Sequence, residues 1–138
     1  MNILPMVGFV QALSQQTVDG ALHWKCMNEL RSITKEENED LYYLLFSDEY
    51  HHVNFFNSFY CLLQNSGYVY LVDETIESGR DNLTIVGPNI YIQENFSSEL
   101  IKLELDYDVI YQLQNAIVSS TADKERRIQQ FIDNFFNN

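Results

Sequence analysis

The chain has 138 residues, of which 46% are apolar and 14% aromatic. This length and composition predict one domain, spanning 1–138, with its own hydrophobic core, and they exclude a disordered linker. No apolar run approaches the ~20 residues that a transmembrane helix needs, so a membrane-spanning protein is excluded. A formal net charge of −12 disfavours direct contact with a nucleic-acid backbone or an anionic membrane and favours a basic protein partner.

The first predicted element is an amphipathic helix over residues 3–18. Its apolar residues recur at the three- and four-residue spacings of a helix face: Ile3, Val7, Val10, Leu13 and Val18. Gly20 stands where a residue in the left-handed conformation would end the helix. Residues 21–27 then alternate in polarity, which predicts a strand that directs Trp24 into the core.

The second predicted helix is short and covers about 35–46. Thr34 and Glu37 have the spacing of a capping box, in which each side chain accepts a hydrogen bond from the backbone amide of the other residue. The acidic residues that follow suit the positive end of a helix dipole.

From residue 54 the period changes to two, which predicts an antiparallel meander. Strands over 57–64 and 68–76 flank a hairpin loop in which Gly67 is free to take a positive φ. A third strand over 83–94 is interrupted at Gly87-Pro88, which predicts a bulge or a bend. A fourth strand over 99–105 alternates apolar and charged residues.

The chain is predicted to end in two helices. Asp106 or Asp108 is a candidate N-cap for a helix through residue 118, and Thr121 is a candidate cap for the last helix. The last helix carries an apolar stripe that we expect to pack on the sheet next to Trp24, formed by Ile128, Phe131, Ile132 and Phe135.

This order of elements predicts an α+β fold. The expected architecture is an antiparallel β-meander of four to five strands, with the N-terminal helix, the short inserted helix and the two C-terminal helices on one face.

Two features predict a cytoplasmic location. Cys26 and Cys61 stand alone in apolar, strand-like contexts, so reduced and buried thiols are expected. The N-terminus lacks the basic region and the small-residue cleavage site of a signal peptide.

The acidic excess is concentrated in two stretches of the chain. Residues 29–54 sum to −5 and residues 73–108 sum to −7, which together account for the whole net charge. Most of the nine tyrosines lie in or beside these stretches. Tyrosine offers a large, stiff surface with a polar tip, as the centres of protein interfaces do, and a surrounding acidic rim steers a basic partner.

Residues 47–56, with sequence SDEYHHVNFF, are the one place where enzyme chemistry is suggested. Glu49 and His52 have the i, i+3 spacing of Glu-x-x-His metal helices, but those sites need a second such helix, which the sequence does not offer. A catalytic zinc requires three protein ligands, and His23 has no acidic residue near it. The pattern favours a polar loop over a metal site.

Other catalytic patterns are missing from the sequence. It has no GxSxG context, no phosphate-binding glycine motif and no electropositive surroundings for Cys61. We therefore expect no enzyme activity, no catalytic residues, no metal and no cofactor.

The order of several weak motifs resembles small uncharacterised proteins of Gram-positive bacteria and their mobile elements. These motifs are Thr17-Val-Asp-Gly20, Leu22-His-Trp24, the tyrosine-rich strands and Phe131-Ile-Asp-Asn-Phe135, while the segment 31–54 departs from the pattern. The resemblance implies an α+β meander and a bacterial or phage origin, and it implies no activity.

The sequence favours a non-catalytic, acidic protein-binding module, such as an inhibitor or an immunity or anti-defence protein that occludes a basic site on a toxin or a nucleic-acid-handling enzyme. Alternatives are a small-molecule sensor and a metal-dependent enzyme that uses Glu49 and His52. A homodimer through an exposed strand edge also stays open. The predicted partner-binding residues are Glu36, Glu37, Asp40, Tyr43, Asp48, Glu49 and Tyr50, with Asp73 and Glu74 as a second patch.

Overall fold

The computed structural model of the chain describes residues 4–47, 51–64, 67–73, 75–78 and 83–137. Its helices are α1 (Leu4–Val18), α2 (Glu39–Tyr42) and α3 (Tyr107–Phe136), with 3-10 helices at Met27–Leu30 and Phe55–Asn57 and a π-helix at Tyr43–Ser47. Its strands are β1 (Lys25–Cys26), β2 (His51–Val53), β3 (Phe59–Leu63), β4 (Gly67–Val72), β5 (Thr75–Ser78), β6 (Leu83–Val86), β7 (Asn89–Gln93) and β8 (Ile101–Lys102).

The predicted α+β class is confirmed. Five strands form an antiparallel sheet in the order β1-β3-β4-β7-β8. A second antiparallel sheet has the order β2-β5-β6. The strand predicted over 83–94 is therefore two strands, β6 and β7, which part at Gly87-Pro88 and join different sheets.

Helix α1 ends as its sequence predicts. Gly20 has a φ of 79°. Its N–H donates to the Thr17 carbonyl at 3.2 Å, and the Ala21 N–H donates to the Gln16 carbonyl at 2.8 Å, which is the Schellman pattern. Thr17 rather than Val18 is buried, and the Thr17 hydroxyl accepts a hydrogen bond from Trp24 Nε1 at 2.9 Å. This bond ties the end of α1 to the chain that enters β1.

The central strand β4 is buried on both faces, and the residues that the structure describes form two cores. On one face, Val69 and Leu71 pack with α1 and with the first half of α3. On the other face, Tyr70 and Val72 pack with the segment between β1 and β2. The inserted helix therefore lies on the face of the sheet opposite α1 and α3, whereas the sequence predicted all helices on one face.

The two predicted C-terminal helices form the single 30-residue helix α3. Its first half is buried where predicted, at Ile110, Leu113 and Ile117. The predicted packing of the C-terminal stripe beside Trp24 is wrong, because Phe131 is 76% exposed and Phe135 is 71% exposed. Helix α1 ends at Val18 and is half as long as α3, so it offers the distal half of α3 little to pack against.

Both cysteines are free thiols, with Cys61 buried and Cys26 half-buried. Burial raises the pKa of the Cys61 thiol. Within the described ranges, no helix combines the length and apolar character required to cross a bilayer.

Candidate protein-binding surface

The insert, residues 27–47, forms a layer of short helices over one face of the sheet. Its inward side chains are Met27, Leu30, Leu41 and Leu45, all of which are buried. The predicted capping box is present, with the Thr34 N–H donating to Glu37 Oε1 at 3.1 Å and the Glu37 N–H donating to Thr34 Oγ1 at 3.2 Å. It closes a turn that precedes α2, and Asn38 is the residue that caps α2 itself.

A buried pair of side-chain amides joins the insert to the sheet. Asn38 Nδ2 donates to Gln93 Oε1 at 3.1 Å, and Gln93 Nε2 donates to Asn38 Oδ1 at 2.9 Å. Asn38 Oδ1 also accepts from the Leu41 N–H, while Gln93 is bonded to the Tyr70 hydroxyl at 2.7 Å and to the Ser98 carbonyl at 2.7 Å. Because every buried polar atom here has a partner, the network fixes the position of the insert.

Four acidic residues on the outer side of the insert form the acidic face: Glu36, Glu37, Glu39 and Asp40. All four are exposed to solvent. Asp40 Oδ2 accepts a hydrogen bond from the Leu100 N–H at 2.8 Å, which ties the acidic face to the loop after β7. A hydrogen bond to Tyr43 raises the pKa of Lys35, and the charges of Glu39 and Glu36 act in the same direction.

Beside the acidic face lies a row of four aromatic rings, which we call the aromatic row: Tyr43, Tyr42, Phe46 and Phe55. Successive ring centroids are 6.0, 5.4 and 5.7 Å apart. Lys35 Nζ lies 5.1 Å from the Tyr43 ring centre, and the Arg31 guanidinium lies 5.0 Å from the Phe55 ring centre, so a cation stands at each end. Tyr43 and Phe46 are 40% and 38% exposed.

The structure brings some of the predicted partner-binding residues together and separates others. Glu36, Glu37, Asp40 and Tyr43 share the outer side of the insert. Asp73 lies on the other side of the sheet, where its carboxylate accepts a hydrogen bond from Gln114 of α3 at 2.7 Å. The remaining predicted residues, Asp48, Glu49, Tyr50 and Glu74, lie outside the described residues.

Sequence reasoning missed two features of this surface. One is the pair of cations that cap the aromatic row, because nothing in the spacing of Arg31 and Phe55 indicates contact. The other is an open groove of about 540 Å³ between the insert and the strand β3, lined by Leu30, Tyr60, Leu62, Tyr68 and Phe96 with His23 and Lys25. The available signal was the pair Tyr60 and Leu62, two large side chains that stand two residues apart and so share one face of strand β3.

The Tyr60 hydroxyl belongs to this groove and donates to Glu29 Oε2 at 3.2 Å. Burial, followed by the Glu29 carboxylate, raises the pKa of Tyr60, so the hydroxyl is held as a donor at neutral pH.

The metal hypothesis lies outside what the structure describes. His52 belongs to β2, opposite Ile76, but its side chain and all of Glu49 are beyond the described residues. Among the side chains that are described, no three His, Cys, Asp or Glu residues converge as metal ligands would. For the sensor hypothesis, the groove beside Tyr60 is open to solvent, whereas a small-molecule site usually buries most of its ligand.

Comparisons of the chain with protein-family models, with curated proteins and with solved structures give no match. Function is therefore inferred from the chemistry of the insert alone.

Proposed function

We propose that the protein is a non-catalytic, acidic protein-binding module that uses the insert to occlude a basic site on a partner protein. The observation that carries this proposal is the acidic face lying directly beside the aromatic row. The acidic face and three of the four rings of the aromatic row belong to the insert, and the acidic face, Tyr43 and Phe46 are exposed to solvent.

Charge supports a basic partner. The stretch 29–54 contributes −5 to a chain whose total is −12, so the local and the global fields have the same sign. Such a field speeds the approach of a positively charged protein and disfavours a nucleic-acid phosphate backbone. We therefore place the partner among basic proteins and expect no direct contact with nucleic acid.

The aromatic row supports a protein rather than a small ion as the ligand. Partly exposed Tyr43 and Phe46 offer stiff apolar area at the centre of a polar rim, which is the composition of energetic centres in interfaces. The Asn38–Gln93 bonds hold the insert in place before binding, which lowers the entropic cost of forming a complex.

A basic site that a small acidic protein blocks is typical of nucleases and other enzymes that act on nucleic acids, since these enzymes bind phosphates. The proposal is accordingly an inhibitor or an immunity or anti-defence protein of the cytoplasm that acts on a toxin or a nucleic-acid-handling enzyme. The resemblance to proteins of Gram-positive bacteria and their mobile elements suggests a bacterial or phage source.

Two double variants of equal net charge test the proposal. Glu36→Lys with Glu39→Lys alters the acidic face but leaves the capping box and the Asp40–Leu100 bond intact. Glu94→Lys with Glu104→Lys makes the same charge change at exposed positions that follow β7 and β8. Each variant and the wild type are immobilised, and the proteins that they capture from a bacterial lysate are quantified by mass spectrometry.

The proposal predicts a basic protein that the wild type and the Glu94/Glu104 variant retain and that the Glu36/Glu39 variant loses. Equal capture by both variants would mean that overall charge, not the insert, determines binding. Capture of acidic proteins or of nucleic acid alone would contradict the proposed class of partner.

A further inference from the structure

The distal half of α3, residues 121–136, carries an apolar stripe that nothing in the described structure covers. Phe131, Phe135 and Phe136 are 76%, 71% and 77% exposed, and Ile128 and Ile132 are 52% and 40% exposed. No described side chain from Ala122 to Asn137 is buried. Exposed apolar groups at helical spacing are characteristic of a surface that is covered in the functional state.

The stripe continues the face of α3 that packs on the core. Ile128 follows Ile110 by 18 residues, and Phe131 and Phe135 follow Leu113 and Ile117 by the same interval. Since 18 residues make about five turns of an α-helix, each pair lies on one side of the helix. The same helix face is thus buried by α1 and the sheet in its first half and is bare in its second half.

The bare face opens into a groove at the end of α1. This groove has a volume of about 1040 Å³ and runs between the last turn of α1 and the middle of α3. Its apolar lining comes from Val18, Leu22, Ile128 and Phe131. Ile128 and Phe131 belong to both the stripe and the groove, so the stripe adjoins the apolar part of the groove, while Lys124 and Arg127 are among its polar lining.

The size of this surface matches a dimer interface. A buried aromatic side chain covers about 150–250 Å², so three phenylalanines at about three-quarters exposure present roughly 330–560 Å². The two isoleucines and the groove walls add to this area. A stable interface needs about 600–1,000 Å² from each partner.

Charge favours a second copy of the chain as the occupant. Residues 121–138 hold three acidic and three basic residues, so this segment is neutral in a chain of −12. A neutral apolar stripe attracts neither a strongly basic partner nor an anionic membrane, but it matches an identical neutral stripe.

The position of Lys124 sets the direction of pairing. Lys124 lies seven residues before Phe131, on the same helix face, and parallel helices would place two Lys124 side chains against each other. Antiparallel helices that cross between Phe131 and Ile132 keep the lysines apart and place Ile128 opposite Phe135 of the second copy.

We propose that the protein forms a homodimer in which the distal halves of α3 pair antiparallel and each helix end enters the groove beside α1 of the other copy. The acidic face of the insert is on the opposite side of the sheet, so it stays open in the dimer.

Sedimentation velocity of the full chain from about 1 to about 100 µM tests the dimer. The wild type should approach twice the monomer mass, and Phe131→Glu should remain a monomer with an unchanged far-UV circular dichroism spectrum. Phe56→Glu is the matched control, because Phe56 is 67% exposed but lies in the Phe55–Asn57 turn, and it should dimerise like the wild type. A monomeric wild type, or a dimeric Phe131→Glu, would overturn the proposal, as would a monomer that co-sediments with phosphatidylglycerol vesicles.

Single cysteines test the direction of pairing. In a Cys26→Ser background, with Cys61 buried, Phe131→Cys should form a disulfide-linked dimer on mild oxidation and Lys124→Cys should not. Equal cross-linking through both positions would indicate parallel helices and would overturn the arrangement.

Discussion

The buried Asn38–Gln93 pair should be one of the most sensitive points of the fold outside the apolar cores. Asn38→Ala removes the side chain that caps α2, which costs about 0.5–2 kcal/mol. It also leaves one N–H of Gln93 without its partner in a buried site, which costs about 1–3 kcal/mol. Ser98 and Tyr70 still bond to Gln93, so the loss ends there. The expected decrease in the free energy of unfolding is about 1.5–5 kcal/mol, out of the ~5–15 kcal/mol typical of a domain.

Equilibrium urea unfolding, followed by tryptophan fluorescence and by circular dichroism, measures this decrease. Tyr70→Phe removes the hydroxyl that donates to Gln93 Oε1, but this oxygen still accepts a hydrogen bond from Asn38 Nδ2. The change should therefore cost only about 1 kcal/mol. Asn54→Ala is the matched control, because Asn54 caps the 3-10 helix at Phe55–Asn57 through Oδ1 but is exposed. If Asn38→Ala costs no more than Asn54→Ala, the amide pair does not anchor the insert and the reasoning fails.

Three further outcomes are expected. Gly67→Ala should lower the free energy of unfolding in urea by more than ~1–2 kcal/mol, because the φ of Gly67 is 86° and a Cβ there would overlap the Gln93 carbonyl oxygen. Gly8→Ala is the contrasting variant: a Cβ at Gly8 would have no atom within 4 Å, so this change should stabilise α1 by about 0.5–1 kcal/mol. Burial raises the pKa of the Tyr70 hydroxyl in the folded protein. The contribution of this hydroxyl to stability is therefore complete below the unfolded-state pKa of about 10 and is lost as the pH rises above that value. The urea midpoint should consequently fall less steeply from about pH 9 to about pH 11 for Tyr70→Phe than for the wild type. At about 1 µM, Phe131→Ala should change stability by less than ~0.5 kcal/mol while Leu113→Ala costs about 2–5 kcal/mol, and equal losses would show that the distal half of α3 is docked.

Local signals in the sequence predicted the features that depend on neighbouring residues. Gly20 predicted the end of α1, and Thr34 with Glu37 predicted a capping box, because both depend on contacts within a few residues. The period-two pattern likewise predicted the β3/β4 hairpin and the positive φ of Gly67. Both partners of each of these interactions lie close together in the sequence, so they can be predicted without knowing the rest of the fold.

Features that depend on distant contacts could not be predicted. Asn38 reads as a surface residue in an acidic stretch, and it is buried because Gln93, 55 residues away, provides a matching amide. The stripe at Phe131 has the spacing of a core face, but spacing cannot reveal that α1 ends too early to cover it. The charge pattern predicts Asp73 as part of a second acidic patch, yet its carboxylate accepts a hydrogen bond from Gln114. In each case the pattern identifies a face and not the group that lies opposite it.

The affinity of the wild type for its captured basic partner, measured by calorimetry at about 50 and about 500 mM salt, tests the central claim most directly. If the acidic face contacts a basic site, the dissociation constant should rise at least about tenfold at high salt, and Glu36→Lys with Glu39→Lys should weaken binding at low salt by a similar factor. A dissociation constant that is insensitive to both salt and these two substitutions would contradict the claim that the insert is the binding surface.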